Sequence, residues 1–252
     1  GWPVVVKPGH SASSVGVTVC RGPDDIDAAW QATVGQPGAL GEITRSLVVQ
    51  EYLAGAKWTV DSVTVRGRRG PRHVITSMWR ERVTLTEGGH VTWGESFLVL
   101  PALEDRDDDA GQVARYARAV LDAVGVVTGP ACTEIMLTAR GPRLIEVMAR
   151  LAGCYPVDLV EEVTGQNQVT AVVDALSDPD EIAGRRPAPV PDNRAVAQAW
   201  LNAPSDGYLN GDVLHQVRTL PSAVSGSAAS LLPDAWVPRT TDTPSSPGHL
   251  NL

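Results

Sequence analysis

The chain has 252 residues, of which 43% are hydrophobic and 20% charged, a composition typical of a globular protein. The formal net charge of -8 argues against a nucleic-acid partner, because nucleic acids select a basic protein face. No stretch approaches the roughly 18 apolar residues of a membrane span, and no secretory leader is visible, so we expect neither a membrane partner nor export.

Strand signals with one helix signal among them mark the first half of the chain. Closely spaced β-branched residues predict strands at 4–6 and 15–19, and Pro23 marks the first turn of a helix over 23–34. Further apolar segments predict strands over the ranges 46–53, 58–65, 72–78 and 80–85. These segments indicate a sheet built largely from neighbouring strands.

The second half continues with a helix, a hairpin and further helices. Apolar residues from Val113 to Val124 follow helical spacing, and Gly125 is placed to end that helix. We predict strands at 132–138 and 142–148, helices at 156–164 and 167–177, a proline-rich linker at 184–193, and a small β-rich lobe beginning at 194–220. The polar end, 239–252, is expected to be disordered. Hairpins rather than regular βαβ units make the predicted fold class α+β.

The three cysteines carry no sign of a metal or disulfide framework. Cys20, Cys132 and Cys154 are odd in number, far apart and in no CxxC pairing. This pattern predicts reduced core thiols, excludes an obvious zinc site and favours a cytoplasmic protein.

A flexible loop directly follows one of the two lysines in the chain. Lys7 ends the first strand, and residues 9–14 supply backbone N–H groups and the hydroxyls of Ser11, Ser13 and Ser14. Glycine and serine allow a backbone to close around an anion, and the lysine adds a positive charge, which together suit a polyphosphate. Neither GxxxxGK[ST] nor a GxGxxG that opens a helix is present. On loop composition alone, a plain flexible hairpin loop is the preferred interpretation.

The segment "TEIMLTARGPRLIEV" predicts a pair of carboxylates on one face of a hairpin. With a three-residue loop at Ala139-Arg140-Gly141, Thr138 faces Pro142, Met136 faces Leu144, and Glu134 faces Glu146. Like charges at directly opposed positions are destabilising, so the pair favours a site for Mg²⁺ or Mn²⁺. The alternative is a register slip or bulge that turns one glutamate to solvent.

The order of these motifs resembles the ATP-grasp superfamily, and specifically its carboxylate–amine ligases of the L-amino-acid-ligase type. The matching segments are "VVVKPGHSASSVGV", "VVQEYLAGAKWTVDSV" and "TEIMLTARGPRLIEVMARLAG", in family order. The resemblance implies a small subdomain at 1–52 with flap and hinge, and a large subdomain at 53–185 with the metal-binding hairpin. It also implies a linker, a partial C-terminal β-rich lobe and a tail at 186–252, and it places an N-terminal domain before the region matched here.

The resemblance assigns a role to individual residues. It implies that ATP and Mg²⁺ (or Mn²⁺) are bound, that Glu134 and Glu146 hold the metal, and that Arg150 is the catalytic arginine. The residues implied to bind ATP are Lys7, Gly9, His10, Ser11, Ser13, Ser14, Gly16, Gln50, Glu51, Tyr52 and Leu53. The implied reaction joins a small carboxylate to an amine, both expected to be amino acids, through an acyl phosphate, with ADP and phosphate released. A homodimer is expected by analogy.

Three positions depart from the pattern of the resembled family. Gln50 stands where the hinge usually opens with glutamate, a mild change because glutamine can still accept a hydrogen bond from the adenine amino group. Lys57 stands where an acid often binds the ribose, and Lys57 cannot accept a hydrogen bond. Met148 stands where many members have a third, asparagine, metal ligand, and a thioether is a poor ligand for Mg²⁺. Two alternatives therefore stay open: a non-catalytic or incomplete nucleotide-binding fragment that needs a partner domain, and a carboxylase or purine-pathway member of the same superfamily.

Overall fold

A computed structural model describes residues 1–67, 70–86, 88–99, 108–153, 155–185, 194–227 and 231–252. Most of the linker predicted at 184–193 lies outside the described residues, as does Cys154. Cys20 and Cys132 are buried free thiols, as the sequence predicts for both. Among the described helices, none combines the length and apolar character that a membrane crossing requires.

Strands follow one another in runs that helices separate, as the hairpin interpretation requires. The strands are β1 (Val4–Pro8), β2 (Thr18–Cys20), β3 (Leu47–Glu51), β4 (Gly55–Gly67), β5 (Gly70–Leu85), β6 (Val91–Val99), β7 (Gly129–Thr138), β8 (Gly141–Met148), β9 (Ala197–Leu201), β10 (Gly207–Tyr208), β11 (Trp236–Val237) and β12 (Gly248–Asn251). The helices are α1 (Pro23–Thr33), α2 (Asp109–Ala123), α3 (Val157–Thr164), α4 (Gln168–Ser177), α5 (Pro179–Gly184) and α6 (Gly211–Arg218).

The strands form antiparallel sheets, which confirms the predicted α+β class. A three-stranded sheet has the order β2-β1-β3, β10 pairs with β11, and a seven-stranded sheet has the order β12-β9-β6-β5-β4-β7-β8. Strand β4 pairs antiparallel with β5 and β7, and β7 pairs antiparallel with β8. The β4–β5 and β7–β8 pairs are hairpins of consecutive strands, which need no crossover helix, whereas β4–β7 joins strands that are distant in the chain.

The first of two compact units comprises Gly1–Tyr52, Arg82–Glu95 and Ala199–Leu252. Helix α1 begins at Pro23, as predicted, because proline lacks the N–H that the first helical turn leaves unpaired. Its Ala29 packs against Val6 of β1 and Cys20 of β2, and this small cluster is the core beneath the opening strands.

The second unit comprises Leu53–Glu81 and Ser96–Gln198. One face of its sheet presents Trp58, Val60, Met78 and Ile135 to helix α2. The opposite face presents three valines to helices α4 and α5, namely Val63, Val65 and Val74. Because side chains alternate along a strand, covering both faces leaves few exposed positions near the middle of β4.

Several predicted boundaries differ from the observed ones for identifiable reasons. Helix α2 begins at Asp109 instead of Val113, because the side chain of Asp108 accepts a hydrogen bond from Gly111 N at 2.9 Å and caps the helix earlier. The ranges 72–78 and 80–85 form a single strand, β5. The second predicted strand is short, starting at Thr18, and β6 and α5 were not predicted.

The polar end of the chain is not disordered, contrary to the prediction for 239–252. Strand β12 lies there, with Leu250 and Asn251 buried. Backbone hydrogen bonds join Asn251 to Val224 and Ser225. The preceding turn is closed by Ser245, whose backbone N and hydroxyl both donate to Asp242 Oδ1. Polar composition predicts disorder only when such side chains lack partners, and here they bond to one another and to the backbone.

Candidate functional site

Glu134 and Glu146 are directly paired across the β7–β8 hairpin, as predicted. The turn differs from the prediction: it contains two residues, Ala139 and Arg140, and Gly141 pairs with Thr138 at a φ of +88°. A bulge in β8 next to the Glu134 pair then shifts the register by one residue. The shorter turn and the bulge compensate, so the two carboxylates still oppose each other.

The bulge changes the surroundings of the carboxylates. Leu144 pairs with Ile135, and Met136 pairs with Arg143, so the predicted Met136–Leu144 and Thr138–Pro142 pairs are wrong. Ile135 belongs to the core under α2, and the backbone N of Leu144 donates to the hydroxyl of Tyr116 on α2. Leu144 therefore lies on the α2 side and does not enclose the carboxylates. Glu146 is exposed, whereas Glu134 is half-buried.

Lys57 contacts Glu134 directly. The Lys57 Nζ atom lies 2.9 Å from Glu134 Oε2 and 2.9 Å from Glu81 Oε2. The strand register brings the lysine and the two carboxylates together. Lys57 pairs with Glu81 across β4–β5. Thr59, two residues further along β4, pairs with Glu134 across β4–β7. The position that departs from the resembled family therefore places a positive charge on one of the two predicted metal ligands.

Glu81 is fully buried and held by two hydroxyl donors. The hydroxyls of Thr59 and Tyr155 both donate to Glu81 Oε1, which leaves Oε2 to Lys57. The Tyr155 ring stacks on Trp79, with ring centroids 4.3 Å apart and an interplanar angle of 5°. We call these residues the Lys57 cluster: Lys57, Thr59, Glu81, Glu134 and Tyr155.

The electrostatics of the Lys57 cluster keep Lys57 charged. Burial alone would lower the pKa of Lys57, but the charges and hydrogen bonds of Glu134 and Glu81 outweigh it, so the net shift is upward. Burial raises the pKa of Tyr155, and the charges of Glu81 and Asp61 raise it further. Tyr155 therefore acts as a hydrogen-bond donor to Glu81.

Asp61 is buried and lies two residues after Thr59 in β4, on the same face of the strand as Thr59. Its Oδ2 accepts a hydrogen bond from Ser77 Oγ at 2.6 Å. Burial raises the pKa of Asp61 to about 6, although the hydrogen bond from Ser77 opposes the rise. The charge of Glu81 contributes a smaller increase.

The two paired glutamates fit a cation that brings further ligands with it. Carboxylate oxygens suit Mg²⁺ or Mn²⁺, and Mg²⁺ is commonly held by one or two carboxylates completed by phosphates and water. Two residues from this pair, Met148 of β8 pairs with Cys132 of β7, and its only possible metal ligand is a thioether. Within the described ranges, no group of three or more His, Cys, Asp or Glu side chains is arranged to hold a metal. The donor set therefore suits a cation bound together with a phosphate-bearing molecule.

Arg150 follows β8 and is exposed. Its Nη1 donates to Leu151 O at 2.7 Å, and its Nη2 lies 2.9 Å from Met148 Sδ. The next residues are anchored by Gln168, whose Oε1 accepts from Ala152 N at 2.7 Å. Arg150 therefore lies two residues before a backbone position that is held by a hydrogen bond to Gln168.

The loop after Lys7 has an unusual backbone. Ser13 and Ser14 have φ values of 58° and 60°, and Gly16 has a φ of 75°. Non-glycine residues rarely adopt this left-handed conformation. Val15 N donates to Ala12 O at 3.1 Å, so Ser13 and Ser14 are the two central residues of a tight turn of the I′ type. Two features favour glycine at position 16: its positive φ, and the lack of space for a Cβ, which would lie 2.8 Å from Pro8 Cγ.

Contacts within the first unit hold the base of this loop. Gly9 N donates to Ser46 O at 2.9 Å, and Ser11 Oγ donates to Val15 O at 3.3 Å. His10 Nδ1 lies 3.3 Å from Glu42 Oε1. Thr243 N donates to Ser13 O at 3.2 Å, so the C-terminal residues contact the loop tip.

The predicted adenine-binding segment lies at the end of β3. Gln50 and Glu51 pair with Val5 and Val4 of β1 and are exposed. Tyr52 and Leu53 follow β3 and are half-buried. Lys7 pairs with Val48 on the same two strands, so β1 and β3 carry both the lysine and this segment.

Sequence reasoning missed Glu81, Thr59 and Tyr155 as neighbours of the predicted metal ligands. A signal for Glu81 was present, because Ser77, Trp79 and Glu81 alternate toward one face of β5. Tyr155 gave no such signal, since it lies outside any strand and reaches Glu81 only through tertiary packing.

The fold is similar to that of solved ATP-grasp structures. An L-amino acid ligase from Bacillus licheniformis superposes with a TM-score of 0.67 over all of this chain and 58% of that chain, at 17% sequence identity. A carboxyaminoimidazole ribonucleotide synthase from Aspergillus clavatus, complexed with ATP, superposes with a TM-score of 0.61 over all of this chain and 58% of that chain, at 14% identity. At these identities the likeness establishes the fold, which is ATP-grasp.

Among curated proteins, the dapdiamide A synthase of Enterobacter agglomerans is 28% identical over 214 residues, covering 82% of this chain and 47% of that protein. The chain thus spans about half the length of this relative. No family model matches the sequence. The homologues and structural neighbours are ATP-grasp carboxylate–amine ligases, as the sequence motifs predict.

Proposed function

We propose that this chain is the nucleotide-binding part of an ATP-dependent carboxylate–amine ligase that forms an amide bond. The observation that carries the proposal is the direct pairing of Glu134 with Glu146 in an ATP-grasp fold. Similarity to dapdiamide A synthase over 82% of the chain supports the same reaction class. The proposed substrates are ATP and two small molecules, a carboxylate and an amine, both of them amino acids.

The proposed reaction first activates the carboxylate, which by itself reacts poorly with an amine. Transfer of the γ-phosphoryl group from ATP to a carboxylate oxygen breaks the bond to ADP and forms an acyl phosphate. The amine then attacks the acyl carbon, a C–N bond forms, and phosphate leaves with the electron pair of the broken C–O bond while the amine loses a proton. Catalysis of this kind rests on positioning and charge neutralisation.

In the first unit, we assign the nucleotide contacts to β1, β3 and the intervening loop. Lys7 would contact the phosphates as a positive charge, and Gln50 to Leu53 would hold the adenine. The loop containing Gly9, His10, Ser11, Ser13, Ser14 and Gly16 would cover the phosphates and exclude water from the acyl phosphate. The glycine and serine content of this loop supports the assignment, because these residues allow a backbone to close around an anion.

In the second unit, we assign Glu134 and Glu146 to the divalent cation and Arg150 to the transferring phosphoryl group. The cation, Mg²⁺ or Mn²⁺, would supply neutralisation of phosphate charge when bound. Arg150 would add hydrogen bonds to equatorial phosphoryl oxygens. Free thiols and the use of ATP also suit a cytoplasmic location, and a homodimer remains a prediction from analogy.

The first test is calorimetric titration of the chain with a non-hydrolysable ATP analogue, with and without Mg²⁺. We expect binding that depends on Mg²⁺, and Glu146→Gln should lose the metal dependence because one ligand is removed. Glu162→Gln, which removes an exposed carboxylate on α3, is the matched control and should bind as the wild type does. Equal Mg²⁺-dependent binding by Glu146→Gln and the control would reject the metal assignment.

A second candidate function is nucleotide binding without catalysis. The contact between Lys57 and Glu134 favours this candidate, because it occupies one oxygen of a proposed ligand. The two candidates differ in turnover: the ligase should release ADP only when both a carboxylate and an amine are present. Analogue binding without ADP release across a panel of amino acid pairs would favour the non-catalytic candidate.

A further inference from the structure

Lys57 occupies one oxygen of a carboxylate that the proposed metal site requires. Its Nζ lies 2.9 Å from Glu134 Oε2, and its side chain is only 11% exposed. We propose that Lys57 is an internal counter-ion of the metal site, whose ammonium competes with the divalent cation for Glu134 and so weakens cation binding in the absence of nucleotide. The inference rests on the proposed function, because it takes Glu134 and Glu146 as the metal ligands.

The position of Lys57 is fixed from the side opposite Glu134. Glu81 Oε2 lies 2.9 Å from the same Nζ, and the Glu81 side chain is fully buried. Thr59 and Tyr155 donate to the other oxygen of Glu81, and Tyr155 is itself stacked on Trp79. A buried ion pair held by further hydrogen bonds cannot exchange its partner as freely as a surface lysine does. The ammonium is therefore a built-in competitor of the cation.

Competition of this kind links the cation to the nucleotide. A divalent cation that gains only Glu146 and one oxygen of Glu134 has few protein ligands, whereas a nucleotide adds phosphate oxygens to the same coordination shell. The cation should consequently bind well only with the nucleotide. Lys57 would thereby prevent the site from filling with metal before its substrate arrives.

The experiment measures Mn²⁺ binding to the nucleotide-free chain by the electron paramagnetic resonance signal of free Mn²⁺. Lys57→Met keeps most of the aliphatic stem and removes the charge, so the affinity for Mn²⁺ should rise by roughly tenfold or more. Lys57→Arg keeps the charge and is the matched control, with affinity close to that of the wild type. Adding Glu146→Gln to Lys57→Met should abolish the gain, which localises the effect to the proposed pair.

A second variant tests the proposal in the opposite direction and does not depend on the folding of Lys57→Met. Glu81→Gln removes one of the two carboxylates that share Lys57, so Glu134 should hold the ammonium more tightly and Mn²⁺ affinity should fall several-fold. Unchanged Mn²⁺ affinity in Glu81→Gln, or a Lys57→Met affinity no higher than that of Lys57→Arg, would overturn the inference.

These measurements use no nucleotide, carboxylate substrate or amine, so the two hypotheses fail separately. Mn²⁺ affinities that change as expected in a chain that never binds the ATP analogue would reject the proposed function and leave the role of Lys57 intact. Mg²⁺-dependent binding of the analogue, together with Mn²⁺ affinities that do not change in the Lys57 variants, would support the proposed function and reject the role of Lys57.

Discussion

At the scale of single residues, Asp61 shows how burial changes a carboxylate that the sequence presents as ordinary. Its side chain is on the same face of β4 as Lys57 and Thr59 and is 2% exposed. Burial raises the pKa of Asp61 to about 6, because desolvation outweighs the hydrogen bond from Ser77. An unfolded aspartate titrates near 3.9, so folding changes its proton affinity.

The sign of the pH effect follows from this difference in pKa. Between about pH 4 and 6 the folded state binds more protons at Asp61 than the unfolded state, so the group costs stability as pH rises, on the order of 3 kcal/mol in full. Asp61→Asn has no such cost. The free energy of unfolding of Asp61→Asn minus that of the wild type should therefore increase from pH 4 to pH 6 and then level off.

Urea denaturation at pH 4, 5, 6 and 7 measures this difference. Asp158→Asn, which changes an exposed aspartate on α3, sets the scale for a carboxylate in contact with water. A difference for Asp61→Asn that is as flat with pH as that of Asp158→Asn would contradict the prediction.

At the scale of elements, the first residue of α4 holds three segments together. Gln168 is buried, and its Nε2 donates to Ser62 O of β4 at 2.9 Å and to Ala131 O of β7 at 3.0 Å. Its Oε1 accepts from Ala152 N in the segment after Arg150. The amide therefore satisfies backbone groups on two strands and a loop, which an apolar side chain cannot do.

Gln168→Leu should lower the free energy of unfolding by roughly 2–4 kcal/mol, because it removes the side-chain partner of the half-buried Ala152 N–H and of the buried Ser62 and Ala131 carbonyls. Chemical denaturation measures the change. The matched control, Val169→Ala, alters the next residue of α4, which is exposed, and should change stability by less than about 0.5 kcal/mol. Similar losses in the two variants would show that Gln168 does not bridge these segments.

At the scale of the whole molecule, net charge bears on the approach of the nucleotide. The chain carries -8, and Mg·ATP is also negative, so long-range repulsion should slow their encounter at low salt. Raising the ionic strength from 10 to 150 mM shortens the Debye length from about 30 to about 8 Å. If the proposed function holds, the association rate constant should rise about two- to fivefold.

Stopped-flow fluorescence with a labelled ATP analogue at constant free Mg²⁺ measures this rate constant. Sucrose at matched osmolality controls for solvent effects other than screening. A rate constant that falls with added salt would show instead that local cations such as Lys7 or Arg150 steer the nucleotide.

The sequence by itself determined what depends on local spacing. Strand alternation and turn residues were enough for the α+β class, the hairpins and the opposition of Glu134 and Glu146. The opposition of Glu134 and Glu146 is correct although the predicted loop length is wrong, because a two-residue turn and a bulge together reproduce the register of a three-residue loop. Capping by Asp108 and the ordering of the chain end depend on hydrogen bonds that composition does not reveal.

Only the tertiary structure decided the surroundings of the carboxylates. Lys57, Glu81 and Tyr155 are separated by up to 98 residues in sequence and meet because β4 and β5 are in register and Tyr155 packs on Trp79. In the fold, the two glutamates raise the pKa of Lys57 against the effect of burial, and burial raises the pKa of Tyr155. A lysine that the sequence presents as a departure from the resembled family is, in the fold, a direct partner of a proposed metal ligand.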